Sequence, residues 1–310
     1  MNVTEITSGL LVPEGPVAMT DGSVIVVEAA RGTLSRVTPE DNKIEVVAEL
    51  GGGPNGAALG PDGAIYVCNN GGGIDWTHMP CCAEIKTPFA DYSGGRIERV
   101  DLATGSSEVL YSDCNGIALN RPNDLVFDAK GGFYFTDTGR SHNRKLDEGA
   151  VFYARADGSM IKELIFPMVT PNGIGLSADE KTLYVTESYT ARLWAFHLSS
   201  PGEISQQPGS DSFSSNGLCL AGAGGYQIFD SLALDAQGNI CVGTLINGGI
   251  TSITADGKSL QHYPMDDHLT TNIAFGGEGL KTAYITLTTT GRLVSAIWPV
   301  AGQPLNFLNQ

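Results

Sequence analysis

Two carboxylates and four carboxamides stand at equivalent places in six stretches of this sequence: Glu14, Asn55, Asn123, Asn172, Asp230 and Asn272. Every one of them offers oxygen as a donor, and none offers sulfur or imidazole. Such a set, with two formal negative charges, suits a hard divalent cation, Ca²⁺ first, with Zn²⁺, Mn²⁺ and Mg²⁺ as alternatives and water completing the shell. Having only two charged ligands implies modest affinity, about 10⁻⁵ to 10⁻³ M. A hydrogen-bonded polar plug, or an ion with a purely structural role, is the competing reading.

The equivalence rests on features other than the polar residue. A turn glycine lies eight residues after Glu14, Asn55, Asn123 and Asp230, at Gly22, Gly63, Gly131 and Gly238. Asn172 and Asn272 instead share Lys-Thr at the ninth and tenth positions, followed by Leu183-Tyr184-Val185-Thr186 and Ala283-Tyr284-Ile285-Thr286. Asn, Asp and Glu make up roughly one residue in six, so six such residues in register would arise by chance on the order of once in 10⁵. In its clearest form the unit runs Arg121-Pro122-Asn123-Asp124-Leu125-Val126-Phe127, turns at Gly131-Gly132, and continues Phe133-Tyr134-Phe135-Thr136-Asp137. A short apolar strand, a tight glycine turn and an aromatic, β-branched strand ending on a carboxylate make a β-hairpin.

Six repeats in 310 residues average about 52 residues each, the length of a four-stranded propeller blade. The sequence therefore predicts an all-β, six-bladed β-propeller forming one domain over residues 1–310. Blade one reads as strands at residues 14–19, 23–28, 33–38 and 44–50. Blade six has only three strands at the C-terminal end, and residues 2–6 are expected to add the fourth and close the ring, removing an open sheet edge. First strands line a propeller's channel, so the six polar residues should converge at one end of it. Connections between second and third strands close over that same end, at residues 29–32, 71–94, 138–149, 188–191, 245–249 and 288–291. The long one, 71–94, is expected to form a lid carrying Trp76, His78, Cys81, Cys82 and Phe89. His142 and Tyr189 approach from other loops.

A formal net charge of −16 argues against nucleic acid and anionic membranes as partners. The N-terminal residues read as neither signal peptide nor membrane span, so a cytoplasmic location is expected, and the six cysteines are read as reduced thiols. Oligomeric state is left open. Gly51-Gly52-Gly53-Pro54-Asn55-Gly56 satisfies a dinucleotide-binding fingerprint literally, but it leads into a strand with no helix after it. Neither a nucleophile elbow nor a zinc-protease helix motif is present.

Pro13-Glu14-Gly15-Pro16-Val17, Arg121-Pro122-Asn123-Asp124, Thr170-Pro171-Asn172-Gly173 and Phe229-Asp230-Ser231-Leu232 resemble the motifs of the senescence marker protein, gluconolactonase and luciferin-regenerating enzyme family. The resemblance covers nearly the whole chain. Blade five departs from it, with Phe229-Asp230-Ser231 where the family pattern reads Pro-Asp-Gly. What the resemblance implies is a metal-dependent hydrolase that opens a lactone, a small cyclic ester. Glu14, Asn172 and Asp230 then hold the ion, Arg121 and Asn123 hold substrate, and Asn123 also reaches the ion. Asn55 and His142 complete the expected substrate contacts. On chemical grounds Asp230 is the general base and Arg121 steadies a developing oxyanion or anchors an anionic substituent. Asp124 and Asp137 are expected to support the site and its turns. An esterase or phosphotriesterase on the same site, or a non-catalytic propeller with a structural calcium, are the alternatives.

Overall fold

The computed structural model describes residues 1–83, 91–206 and 216–309. Phe89, expected in the lid, lies outside the described residues. Six antiparallel sheets stand around one axis, and the inner strands are Pro13–Ala18, Pro54–Leu59, Pro122–Phe127, Pro171–Leu176, Ile228–Leu234 and Thr270–Gly276. Each inner strand touches the next, and the sixth returns to the first, so the ring is a six-bladed propeller. Among the described residues there is no α-helix, only two 3₁₀ turns at Pro80–Cys82 and Glu278–Leu280. Nor does any described helix have the length and apolarity to cross a membrane.

Blade three shows how the sequence makes a blade. Pro122–Phe127, Gly132–Asp137, Gly149–Arg155 and Ile161–Met168 pair in sequence order, each antiparallel to the one before. Phe133, Tyr134 and Phe135 are all buried, because the second strand is covered by a neighbouring blade on each face. Phe133 and Phe135 pack with Tyr66 of blade two, while Tyr134 packs with Ile174 and Val185 of blade four. A strand sandwiched in this way reads as continuously apolar, whereas the outermost strand, Ile161–Met168, is half solvated.

Closure occurs as the repeat count requires, with the pairing strand at Val3–Ser8, two residues longer than the expected 2–6 at its C-terminal end. It lies antiparallel to Arg292–Ile297, and Ile6 is buried beneath blade six. At the opposite end of the channel the C-terminal tail crosses the axis, which the repeat pattern does not foretell. Gln303 donates to the carbonyls of Leu234 and Leu176, and Asn306 donates to that of Phe127, where three inner strands finish. Leu308 then buries itself in the core shared by blades one and two. Between this tail and the ring of polar residues lies a cavity of about 110 Å³. Access from solvent to the polar ring is therefore from the loop end.

Deleting residues 1–8 leaves Arg292–Ile297 as an unpaired edge and exposes the apolar surface under Ile6. The truncated protein is expected to melt about 5–15 °C lower and to self-associate. A melting temperature equal to that of the full chain, measured by calorimetry, would contradict this closure.

Candidate metal centre

All six inner strands break register at or beside the predicted polar residue. The shifts fall between Glu14 and Val17, Pro54 and Ala57, Pro122 and Leu125, Pro171 and Ile174, Phe229 and Leu232, and Thr270 and Asn272. A bulge puts an extra residue opposite its partner strand and re-aims a side chain. Blade five keeps the bulge although Ser231 stands where the family pattern has glycine. Neighbouring inner strands approach so closely here that a Cβ on Gly15 would lie 2.5 Å from the carbonyl oxygen of Asn55. A Cβ on Gly56 would lie equally close, 2.5 Å, to that of Asn123. Only glycine fits at these two places.

Threonines of the second strands tie blade three to blade four and blade four to blade five at the site itself. Thr136 donates to the backbone carbonyl of Asn172 at 2.6 Å, and Thr186 to that of Asp230 at 2.8 Å. Carboxylates that end second strands hold the entering backbone: Asp137 accepts from the amides of Asn120 and Arg121, and Glu28 and Glu187 accept from those of Leu11 and Val169. Asp137 thus supports the turn, as expected. The threonine ties were not foreseen, though Thr136, Thr186, Thr244 and Thr286 recur at one repeat position and are all fully buried. Entry to blades one and four is strained, with Val12 and Thr170 at φ of 57° and 48° in the left-handed region that β-branched residues avoid.

Glu14, Asn123, Asn172, Asp230 and Asn272 are all buried, and Asn55 is half-buried. Asn272 is occupied at both ends: its amide donates to Glu14 Oε2 at 3.2 Å, and its oxygen accepts from the Ile273 amide at 2.8 Å. Asn172 donates to Ser188 Oγ at 3.0 Å, which turns its Oδ1 the other way. That Oδ1, and the Oδ1 of Asn123, are buried without any hydrogen-bond donor. Unsatisfied buried oxygens are costly unless something positive meets them.

A third carboxylate joins the two predicted ones. Asp124 lies one residue beyond the ring, buried between blades three, four and five, with Leu125 donating to its Oδ1 at 2.9 Å. Burial pushes Glu14 up to about 7, against hydrogen bonds from Thr271 and Asn272. Asp124 is likewise pushed up to about 7 by burial, with the charge of Glu14 adding to it. For Asp230, burial, then the charge of Glu14, then that of Asp124 hold the carboxyl well above the usual carboxylate range. The six repeat positions themselves hold two charges, and Asp124 is expected only in support. Its signal was nonetheless present, because the position after the polar residue reads Gly, Gly, Asp, Gly, Ser, Ile across the six repeats and only Asp124 is charged.

Arg121 sits above the ring, half-buried, with Nη2 donating to the carbonyl of Gly72 at 3.2 Å. Burial, then the nearby charge of Arg140, lower its pKa. His142 lies in a small hairpin with its Nε2 3.1 Å from Asp147, and Asp147 also accepts from Asn120. The described part of the lid runs over the end of blade one. Cys81 donates its amide to Thr289 in blade six, and Cys82 buries itself against Val12 and Ala29. All six cysteines are free, and Cys68 and Cys241 are fully buried.

A sequence model of the SMP-30/gluconolactonase/LRE-like region matches residues 12–289. A gluconolactonase of Zymomonas mobilis is 27% identical over 278 residues, which cover 82% of this chain and 70% of that protein. A lactonase drp35 of Staphylococcus saprophyticus is 32% identical over 201 residues, covering 64% of this chain and 55% of that protein. The chain thus spans about half the length of the drp35 lactonase it matches. Among solved structures, a calcium-binding protein, regucalcin, of Agrobacterium tumefaciens superposes with a TM-score of 0.76 at 17% identity, over 99% of this chain and 97% of that one.

Raised carboxyls set the sign of a pH effect on the metal-free protein. Between the unfolded values of 4.5 and 3.8 and folded values of about 7, the folded state holds protons that the unfolded chain has released. Stability from these groups is therefore full at low pH, falls as pH rises toward 7, and stays low above it. With chelator present, the melting temperature of Glu14→Gln is expected to fall less than that of the parent between pH 5 and pH 8. Equal falls in a pH series of melts would remove Glu14 as a strained carboxyl.

Proposed function

This chain belongs to the SMP-30/gluconolactonase/LRE-like family, and from that premise we propose that it hydrolyses lactones with a divalent metal ion held by Glu14, Asn123, Asn172 and Asp230. Ca²⁺ is the first candidate, since an all-oxygen set with room for water suits a hard, flexible cation. The observation that carries this reading is the pair of buried, donorless oxygens, Asn123 Oδ1 and Asn172 Oδ1, in one channel with two carboxylates held out of water. A cation satisfies both oxygens and relieves both carboxylates at once. Lactones as the substrate class draw support from the names of the Zymomonas and Staphylococcus relatives.

When bound, the ion supplies a Lewis acid that polarises the scissile carbonyl and makes adjacent water more acidic. Asp230 takes the proton of the attacking water. Glu14 carries charge for the ion and is held in place by Asn272 and by the amide of Gly15. Asn172 donates from its amide to Ser188 and lowers the Asp230 carboxyl by a hydrogen bond, while its Oδ1 has no donor of its own and is offered to the ion. Arg121, above the ring, donates to the substrate. Asn55 and His142 line the approach, and the lid over blade one keeps bulk water from the reacting atoms. Water adds to the carbonyl carbon, the ring C–O bond breaks, and the proton first taken by Asp230 passes to the leaving alkoxide.

Chelation is expected to abolish turnover of a neutral sugar lactone such as glucono-1,5-lactone, and added Ca²⁺, Mn²⁺ or Zn²⁺ to restore it to different extents. Glu14→Gln and Asp230→Asn should both weaken the ion. At saturating metal Glu14→Gln recovers most of its rate, whereas Asp230→Asn stays about 10²–10⁴-fold slower, the usual range for a lost general base. Turnover that survives exhaustive chelation would overturn the metal reading. Complete rescue of Asp230→Asn by metal would place the base elsewhere, with Asp124 the next candidate.

A further inference from the structure

We propose that Arg121 and Arg140 form an anion-binding pocket at the channel mouth, and that the lactone this chain opens carries a second, charged group, a carboxylate or a phosphate. This rests on the lactonase reading and narrows its substrate. Of the ten arginines, Arg31, Arg36, Arg96, Arg99 and Arg292 pair with carboxylates. Arg121, Arg140, Arg144, Arg155 and Arg192 have no carboxylate within ion-pair distance among the described residues, and of these Arg121, Arg140 and Arg155 are half-buried. Moreover, Arg121 Nε and Arg140 Nε are buried without an acceptor. In a protein of net charge −16, two neighbouring guanidiniums without an ion pair run against the general balance, and Asp137, whose charge reaches Arg121, is already engaged by the amides of Asn120, Arg121 and Gly139. Holding like charges together half out of water is unfavourable unless an anion joins them.

The two are fixed around one ring. The Arg140 guanidinium carbon lies 3.6 Å from the centroid of Tyr92, whose hydroxyl donates to the carbonyl of Asn120, next in sequence to Arg121. Tyr92 also packs on the glycine run 71–73, so close that a Cβ on Gly71 would lie 2.8 Å from the ring, and Arg121 donates to Gly72 in that same run. Stacking holds the Arg140 fork flat and leaves its donor edges free. Two planar forks with unused N–H groups match the oxygens of a carboxylate or phosphate. Arg121 lies two residues from Asn123, so an anion held here sits beside the ring, at the distance of a substituent on the same small substrate.

The test compares three lactones: neutral glucono-1,5-lactone, glucaro-1,4-lactone with its free carboxylate, and 6-phosphogluconolactone. Wild-type protein is expected to show a kcat/KM about tenfold or more higher for one of the charged lactones than for the neutral one, and less so in high salt. Which of the two is preferred distinguishes carboxylate from phosphate. Arg140→Met should lower that preference about tenfold, mostly through KM, and Arg140→Lys should restore part of it. Calorimetric titration of the chelated protein with glucarate, against the neutral polyol glucitol, reads the pocket without turnover. Glucarate binding that Arg140→Met abolishes supports the pocket even if no lactone is opened. Equal handling of neutral and charged lactones, with no selective glucarate binding, overturns the proposal and leaves the lactonase reading standing. Unequal melting temperatures would expose a misfolded Arg140→Met, and Arg140→Lys then decides on charge alone.

Discussion

Three carboxyl groups share one channel from which water is largely excluded, and their mutual repulsion is the constraint that the rest of the site answers. Glu14, Asp124 and Asp230 cannot all ionise there without help, which is why burial and neighbouring charge push each of them upward. Protons relieve the strain at low pH. A divalent cation would relieve it at neutral pH, and it would also meet the two buried amide oxygens that have no donor. The fold tolerates the strain because the propeller ring is closed and its inner strands cannot move apart independently.

Placement is achieved by the backbone. Bulges aim the six polar positions inward, threonines of blades three and four bind the backbone carbonyl of the next site residue, and second-strand carboxylates hold the entering loops. None of these devices depends on which polar residue occupies the ring, so the ring can mix carboxylates with carboxamides. Blade six shows the consequence, since Asn272 serves Glu14 instead of the channel. The C-terminal tail adds a floor and binds blades three, four and five together where their inner strands end.

Much of this was legible in the sequence. The repeat gave blade number, inner strands and closure, because a unit that cannot bury its faces alone must stack on copies of itself. Strand ends missed by a residue or two, as with Val3–Ser8, since solvated termini carry little pattern. Asp124 was visible as a residue but not as a member of the ring, because its side chain enters the channel only through the bulge. Arg121, at the entry to an inner strand, and Arg140, in a loop, are brought near one another through Tyr92, and no periodicity reports such proximity. The tail, residues 301–309, has neither repeat nor strand period, so its course across the axis could be read only from the structure.

Anomalous diffraction from crystals soaked in Mn²⁺ or Ca²⁺ tests the central claim most directly. A single peak on the channel axis is expected, with Glu14, Asp230 and the Oδ1 atoms of Asn123 and Asn172 at about 2.0–2.6 Å. Asn272 should keep its hydrogen bond to Glu14. A peak held elsewhere, or no peak with the two amide oxygens turned away from the channel, would contradict the account.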